Sequence, residues 1–320
     1  MLQRTRPGGY LVVREDPAPA ASMQLEGDGY TIVRGAFTVE EITALKVEIE
    51  SVYEQLPPDG RGTNKRGGIE DDFRYEMFNR SGLCQQLVGR REILDVIDPL
   101  LGEDAHIIAN TCWRNPAQNE HRHGGGAWHI DAGPHIPLRP DQSWPENIPH
   151  PVFAIGVHVY LMDCPLACGP TGVIPGSHRS GMFPPAERAQ DVDLEWQGQG
   201  VTALTAFAGD VALFVSDVWH RRLPTSDEDE GRFFLQIHYA RRDIAQRVKP
   251  TSIINHLQPE AIERISSDRD RHLLGLHHMG FYDGGVCYIA TTKRVWSLAI
   301  DRGRSRCSSE GEVEGLEAPF

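Results

Sequence analysis

The chain is 320 residues long, with 40% hydrophobic and 24% charged residues, so it can bury a substantial core in one large domain or two small ones. Its formal net charge of −13 argues against a nucleic-acid partner, because a phosphate backbone would on average be repelled. No stretch approaches about 18 consecutive apolar residues, so we expect neither a transmembrane helix nor a membrane partner.

The N-terminal residues lack the apolar run that a secretory signal needs. The six cysteines are scattered, and only Cys164 and Cys168 lie close together, without the spacing of a zinc site. We therefore expect a cytoplasmic protein whose cysteines are reduced.

In chain order, residues 1–24 are rich in Pro, Arg and Ala without periodicity, and we interpret them as a loose leader. Residues 29–33 then predict a short strand. Thr38 and Glu41 form a capping-box pattern, which predicts the start of a helix with one apolar face. The apolar positions of that helix are Ile42, Leu45, Ile49, Val52, Tyr53 and Leu56. A second helix is predicted over residues 91–101.

From about residue 105, short β-type segments alternate with turn signals, which favours a β-sandwich or barrel. The predicted strands cover residues 106–111, 152–162, 201–206, 211–215 and 233–239. Further along, Pro259 is placed to start a helix that runs through Ile265. A strand-like run over 286–292 precedes a Ser/Glu/Gly-rich tail, which we expect to be disordered.

The first chemical signal is the sequence Trp128-His129-Ile130-Asp131. Residues two apart on a strand point to the same face, so His129 and Asp131 can approach one metal ion together. A second histidine would complete three ligands and leave three coordination positions open, which suits iron(II) with a bidentate co-substrate and oxygen. Alone, the pattern is a weak signal, because a lone histidine is usually a satisfied core or surface residue.

The second signal lies about ninety residues downstream, where His220 follows an apolar strand that begins after Gly209-Asp210. In the next strand, alternation places a mixed polar and aromatic set on one face, which suits a pocket better than an apolar core. That set is Arg232, Phe234, Gln236 and His238. Arg232 could bind a carboxylate in bidentate fashion, and the alternative is that it is a strand-edge surface charge. His238 is a candidate to support the metal ligands.

Together these blocks resemble the phytanoyl-CoA dioxygenase family. The segment 128–131 resembles the family's iron motif, and residues 169–178 resemble its Gly-x-x-x-x-Ile-Pro-Gly-Ser-His loop. His220 and Arg232 resemble its distal histidine and its 2-oxoglutarate-binding arginine. The resemblance covers roughly residues 26–283, and the ordered combination is more specific than any one block.

The resemblance implies a mainly β fold with flanking helices, namely a double-stranded β-helix, which is a cupin-like jelly-roll barrel. It implies an enzyme that requires iron(II), 2-oxoglutarate and oxygen. Carried over by position, His129, Asp131 and His220 are the catalytic iron ligands, and Arg232 binds 2-oxoglutarate. Thr171 and Asn110 are further candidates for contact with this co-substrate. We expect a single oxygenase domain over residues 25–283 and a C-terminal extension over 284–320.

The family includes halogenases that replace the carboxylate ligand with a small residue, so the presence of Asp131 favours hydroxylation. The expected substrate is a small molecule or natural-product intermediate. Desaturation, epoxidation and rearrangement use the same residues and stay open. A cupin-like hydrolase or isomerase, and an inactive binding module on the same barrel, are the rival hypotheses. One departure from the family is the pair Arg221-Arg222 after the distal histidine, whose role stays open, as does the oligomeric state.

Overall fold

The structure is a computed structural model. It describes residues 19–55, 73–117, 123–131, 133–145, 148–246 and 257–277 in full. For the strand residues 2–4, 12–14, 63–66, 69–72, 298–301 and 304–307 it describes the backbone. The predicted strand over 286–292 and the Ser/Glu/Gly-rich tail lie outside the described residues.

The described chain forms fourteen strands and seven α-helices. The strands are β1 (Leu2–Arg4), β2 (Val12–Arg14), β3 (Tyr30–Val33), β4 (Thr63–Arg66), β5 (Ile69–Tyr75), β6 (His106–Asn115), β7 (Ala154–Tyr160), β8 (Thr171–Val173), β9 (Thr202–Ala203), β10 (Val211–Val215), β11 (His220–Arg222), β12 (Arg232–Ala240), β13 (Leu298–Asp301) and β14 (Arg304–Cys307). The helices are α1 (Ala20–Asp28), α2 (Val39–Gln55), α3 (Met77–Arg80), α4 (Gly82–Val88), α5 (Arg91–Leu101), α6 (Pro259–Glu263) and α7 (Asp268–Leu273). No helix of the described residues has the length and apolar character needed to cross a membrane.

Two antiparallel sheets build the jelly roll. The larger has seven strands in the order β3-β10-β7-β12-β6-β5-β4, and the smaller has three in the order β11-β8-β9. Their inner faces share one apolar cluster, in which Val173 of β8 packs with Tyr160, Phe214 and Phe234 of the larger sheet. The polar residues of β12 that were singled out in the sequence, including Arg232 and His238, face this interior between the two sheets.

The other face of the larger sheet packs against the helices. Its central strand β12 sends Phe233, Leu235, Ile237 and Tyr239 into this helix-facing core. The alternate residues, including Phe234, face the interior of the jelly roll. The predicted division of this strand into two faces is confirmed, because side chains along a strand alternate with a period of two.

Helix α2 begins with the predicted capping box. The Thr38 N–H donates to Glu41 Oε2 at 2.9 Å, and the Glu41 N–H donates to Thr38 Oγ1 at 3.2 Å. The predicted apolar face is buried at every described position, and Leu56 lies outside the described residues. Helix α5 matches its predicted bounds, whereas the strand predicted over 201–206 shortens to β9.

The predicted leader over residues 1–24 is too long, because α1 begins at Ala20 and packs into the domain. Ser22 is fully buried, and its hydroxyl donates to the Val96 carbonyl oxygen at 2.8 Å. Leu25 joins the helix-facing core. Helix α1 therefore starts five residues before the predicted domain boundary at residue 25, since a contact with α5 could not be read from local composition.

The Ile-Pro-Gly-Ser-His loop holds the C-terminal end of α1. The Gly176 N–H donates to Asp28 O at 2.8 Å, and the His178 Nε2–H donates to Glu26 O at 3.0 Å. Gly29 ends α1 at φ 83°, and a Cβ there would collide with the His178 ring. The loop thus serves as a docking element for α1, and the sequence had not nominated His178 as a metal ligand.

We predict that His178 makes the fold sensitive to acid. Burial, with a smaller effect of His150, lowers the pKa of His178 to about 3, against 6.5 for an ordinary histidine. Below pH 6.5 the unfolded chain takes up a proton that the folded chain does not, so stability falls as the pH drops towards 3. At about pH 5 this single group costs about 2 kcal/mol.

Urea unfolding at about pH 7 and pH 5 tests this prediction. His178→Gln keeps an N–H that can reach Glu26 O but does not titrate, so it should lose less stability between the two pH values than the wild type. An equal loss in both proteins would contradict the assignment to His178.

Candidate metal centre

The candidate centre is built where two distant segments of the chain run antiparallel. The N–H and C=O groups of His129 and His220 bond to each other, each at 3.0 Å, and the Asp131 N–H donates to Ser216 O at 3.0 Å. His129 lies in an extended segment that forms an isolated bridge, and His220 opens β11. This pairing extends the smaller sheet and brings the His129–Asp131 motif next to His220, although the two are about ninety residues apart in the sequence.

The side chains of His129, Asp131 and His220 converge. Their ligand atoms all lie within 4.8 Å of one another. The Asp131 carboxylate is 3.7 Å from His129 Nε2 and 3.4 Å from His220 Nε2. The His129 side chain is half exposed, at 50%, against 6% for His220, so the centre opens to solvent on the His129 side.

Hydrogen bonds to the backbone orient both imidazoles. His129 Nδ1–H donates to Ala127 O at 2.8 Å, and His220 Nδ1–H donates to Val218 O at 2.9 Å. Each ring therefore turns its Nε2 towards Asp131, where the lone pair of the neutral form would be available to a metal ion. This is the arrangement that protein metal sites use to hold ligating histidines in one tautomer.

The electrostatics favour an ionised carboxylate between histidines. Burial opposes ionisation of Asp131, but the adjacent His220 and His238 hold its pKa well below the usual range. Burial lowers the pKa of His129, and His220 lowers it further. For His220, burial is outweighed by Asp131, which raises the pKa. Asp131 is therefore ionised and offers an anionic oxygen to a metal cation.

Two imidazole nitrogens and one carboxylate oxygen on a single side form the donor set of a two-histidine, one-carboxylate iron(II) site. Adjacent ligands of such an ion stand roughly 3 Å apart, as follows from metal–ligand distances of about 2.1 Å. The observed separations are 3.7 Å from His129 Nε2 to Asp131 Oδ1 and 3.4 Å from His220 Nε2 to Asp131 Oδ2, and no pair of ligand atoms is more than 4.8 Å apart, so the side chains would have to draw together around an ion. The residues therefore fit iron(II).

His238 is a third histidine beside the centre, in agreement with the face predicted for it. Its Nε2 lies 3.3 Å from Asp131 Oδ2 and 2.8 Å from Gln236 Nε2. The Gln236 amide oxygen accepts from Trp113 Nε1 at 2.9 Å, which directs the amide nitrogen towards His238. These contacts, between residues of β6 and β12, hold the His238 ring beside the carboxylate.

The Ile-Pro-Gly-Ser-His loop also fixes the backbone next to His220. The Ser177 hydroxyl accepts the Trp219 N–H at 2.8 Å and donates to Ile174 O at 2.7 Å. The Ile174 N–H in turn donates to Trp219 O at 3.0 Å. The loop that carries the family resemblance thus positions a metal-ligand candidate without contacting the metal position itself.

We predict that Ser177→Ala weakens metal binding as well as stability. The buried Trp219 N–H would lose its acceptor, which costs about 1–3 kcal/mol and frees the residue before His220. Iron(II) or cobalt(II) titration and thermal unfolding measure the two effects. Ser180→Ala is the control, because that hydroxyl bonds only with Met182 within its own turn. Equal metal affinity in the Ser177 and Ser180 variants would contradict the prediction.

Asp217 secures the segment that follows Asp131. Its carboxylate accepts from the His135 backbone N–H at 2.9 Å and from the His135 ring nitrogen Nδ1 at 2.5 Å. The His135 ring stacks on Phe153 with centroids 4.8 Å apart. Asp217 is buried in the turn just before His220, so the two ligand-bearing segments are joined here a second time. The sequence contained no signal for this contact.

Arg232 is buried inside the jelly roll, at 7% exposure, and is not a strand-edge surface charge. Its Nε and Nη2 donate to Asn115 Oδ1 at 3.2 and 3.0 Å, and its Nη1 donates to Gly169 O at 3.0 Å. The guanidinium carbon lies 5.2 Å from the centre of the Phe234 ring. A buried guanidinium on the inner face is suited to an anionic ligand.

Thr171 of β8 faces the same interior from the smaller sheet. Its hydroxyl lies 3.4 Å from His158 Nδ1, and the Tyr160 hydroxyl also hydrogen bonds to it. Arg222 is the register partner of Thr171 across β11, so its side chain belongs to the inner face as well. Arg221 points to the opposite face, where it donates to Gly124 O and Asp191 O. The two arginines therefore do not form one basic pocket.

The prediction for Asn110 is wrong in its geometry. Asn110 is the register partner of Ile237, so it lies on the helix-facing side of the larger sheet. Its amide accepts from the Phe78 N–H at 3.0 Å and donates to Gln236 O at 3.0 Å. The polar residue of β6 that does face Arg232 is Asn115, which the sequence analysis missed.

Comparison with known proteins agrees with the geometry. The sequence model of the phytanoyl-CoA dioxygenase (PhyH) family matches residues 25–228. Ectoine dioxygenase from Nocardia farcinica (strain IFM 10152) is 24% identical over 215 residues, which are 60% of this chain and 68% of that protein.

Two solved structures share the fold. HygX from Streptomyces hygroscopicus, solved with nickel, 2-oxoglutarate and hygromycin B bound, is 15% identical with a TM-score of 0.54, over 71% of this chain and 88% of that one. The non-heme alpha-ketoglutarate-dependent epimerase SnoN from nogalamycin biosynthesis is 16% identical with a TM-score of 0.53, over 69% of this chain and 81% of that one. The predicted jelly-roll fold is confirmed. The chain belongs to the phytanoyl-CoA dioxygenase family and is an iron(II)- and 2-oxoglutarate-dependent dioxygenase.

Proposed function

We propose that this dioxygenase hydroxylates an unactivated C–H bond of a small-molecule or natural-product substrate. In this proposal His129, Asp131 and His220 bind the iron(II), while Arg232 and Thr171 bind 2-oxoglutarate. The observation that carries the proposal is the convergence of the three ligand candidates on one point, within the same interior that holds the buried guanidinium of Arg232.

When bound, iron(II) and 2-oxoglutarate supply the oxidising chemistry: oxygen and 2-oxoglutarate are consumed, succinate and carbon dioxide are released, and one oxygen atom enters the substrate as a hydroxyl group. The chain's own contribution is positioning. The backbone carbonyls of Ala127 and Val218 hold the histidine rings in the tautomer that a metal requires. Arg232 anchors a carboxylate away from the centre, and the apolar residues around it exclude water.

The substrate enters from the His129 side, where the centre is open to solvent. Two features support a small polar substrate. Relatives with this fold or sequence include an ectoine dioxygenase and a protein solved with hygromycin B bound. In addition, a positive surface of the kind that binds polyanions is not expected from a chain with a net charge of −13. Hydroxylation is favoured because Asp131 occupies the carboxylate position.

Coupled assays test the proposal. Anaerobic protein loaded with iron(II) should develop a visible charge-transfer band on titration with 2-oxoglutarate. In air, the correct substrate should stimulate succinate release, with about one succinate formed for each substrate molecule oxidised. The mass of the product should exceed that of the substrate by about 16 mass units, the mass of one oxygen atom. A product that has lost two hydrogens would indicate desaturation, and a product of unchanged mass would indicate rearrangement. The fold by itself does not distinguish these reactions from hydroxylation.

The rival hypotheses give different results in the same assays. A cupin-like hydrolase or isomerase would show no band with 2-oxoglutarate and no oxygen uptake. An inactive binding module would bind a small molecule without releasing succinate. Screening a small-molecule panel for stimulated succinate release is therefore the most informative single experiment.

A further inference from the structure

His158 is a histidine of the interior that the proposed function has not yet used. It lies on the inner face of β7, is 5% exposed, and is the register partner of Gln236 on β12. Its Nε2 has no hydrogen-bond partner among the described residues. A buried polar atom without a partner costs about 1–3 kcal/mol, so its presence in a packed interior calls for a function.

Ring contacts link His158 to both the metal centre and Arg232. On one side its ring is 5.1 Å from that of Phe214, which in turn is 4.8 Å from the His220 ring. On the other side its ring is 4.6 Å from that of Phe234, over which Arg232 lies. His158 is therefore one aromatic ring removed from His220 on one side and from Arg232 on the other.

The contacts around His158 leave Nε2 as the ring nitrogen without a partner among the described residues. The other nitrogen, Nδ1, lies 3.4 Å from the Thr171 hydroxyl, which is also hydrogen bonded with the Tyr160 hydroxyl. Burial, with a further effect of His238, keeps the pKa of His158 well below that of an ordinary histidine, so the ring is neutral and carries one proton. If the Thr171 hydroxyl donates to Nδ1, that ring proton resides on Nε2.

We propose that the His158 Nε2–H donates a hydrogen bond to a carboxylate oxygen of 2-oxoglutarate, which makes His158 a co-substrate-binding residue between the metal centre and Arg232. This inference rests on the proposed function and assigns a new residue to it. Thr171 then acts mainly as a positioning residue, because its hydroxyl proton is used to hold His158 in the donor tautomer.

Two substitutions separate this role from simple packing. His158→Phe keeps an aromatic ring against Phe214 and Phe234 but removes the N–H. His158→Gln keeps an amide N–H near the position of Nε2. We expect His158→Phe to raise the dissociation constant of 2-oxoglutarate at least tenfold, because a hydrogen bond to a charged group is worth about 1.5–3 kcal/mol, or roughly 10- to 150-fold. His158→Gln should keep the dissociation constant within about threefold of the wild-type value, because it retains a donor.

The experiment is an anaerobic titration of iron(II)-loaded protein with 2-oxoglutarate, followed by the visible charge-transfer band, together with melting temperatures of the ligand-free proteins. His158→Phe should melt at the same temperature as the wild type or higher, since the unpaired N–H is gone. A lower melting temperature with unchanged affinity would assign His158 to packing and overturn the inference. If the wild type itself gives no band, the proposed function fails instead.

The tautomer of His158 in the wild-type protein provides a second test. In zinc-loaded protein labelled with nitrogen-15 in its histidines, the His158 ring should show the Nε2–H tautomer, and adding 2-oxoglutarate should shift its Nε2 proton downfield. His158→Gln identifies the resonance by its disappearance. An Nδ1–H tautomer, or no shift at saturating 2-oxoglutarate, would overturn the inference.

Discussion

Asp131→Ala is expected to abolish iron-dependent turnover and to weaken iron(II) binding at least about 100-fold, since even residues that merely orient metal ligands are worth 10–100-fold. The carboxylate stands between His129 and His220, at 3.7 and 3.4 Å from their Nε2 atoms, and carries the negative charge of the centre. Without it, two neutral imidazoles remain to compete with water for the metal. His129→Ala should have a similar effect on turnover.

The measurements are metal content after dialysis, metal affinity by titration, and succinate release. Asp141→Ala is the matched control, because Asp141 is an exposed aspartate in the loop between the metal motif and β7. The control should retain wild-type metal affinity and turnover. An Asp131→Ala protein that still binds one iron(II) tightly and releases succinate at the wild-type rate would remove Asp131 from the centre.

Arg232→Ala is expected to weaken 2-oxoglutarate binding by about 2–5 kcal/mol, as is typical when one partner of a buried, hydrogen-bonded charge pair is removed. Arg232 is buried on the inner face and held by Asn115 Oδ1 and Gly169 O, so its guanidinium is fixed before any ligand arrives. Iron(II) affinity should change little, because a guanidinium has no lone pair to offer a metal ion.

The 2-oxoglutarate titration that follows the visible band measures this effect directly. Arg232→Lys keeps a positive charge but not the planar fork, so it should recover only part of the affinity. Arg222→Ala is the informative comparison, since Arg222 also belongs to the inner face. If Arg232→Ala leaves the dissociation constant unchanged while Arg222→Ala raises it, the anchoring role passes to Arg222.

Much of the local structure follows from the sequence because it depends on short-range periodicity. The apolar spacing of α2 and α5 and the capping box at Thr38 predict these helices with nearly their observed bounds. The alternation along β12 likewise predicts which residues face the helices and which face the interior. The order of the His129, His220 and Arg232 blocks was sufficient to identify the family, and their roles as ligands and anchor stay proposals for the experiments above.

Contacts between strands that are distant in the sequence could not be predicted in this way, because they depend on the register in which the strands pair. Asn110 and Asn115 lie on the same strand, yet one faces the helices and the other faces Arg232, because a shift by an odd number of residues reverses the face. His158, Tyr160 and Thr171 come together only when β7 packs across from β8, so no local pattern could predict that His158 would be buried with an unused nitrogen. Adjacent arginines 221 and 222 are likewise separated by the sheet, and only the pairing of β11 with β8 decides which one enters the interior.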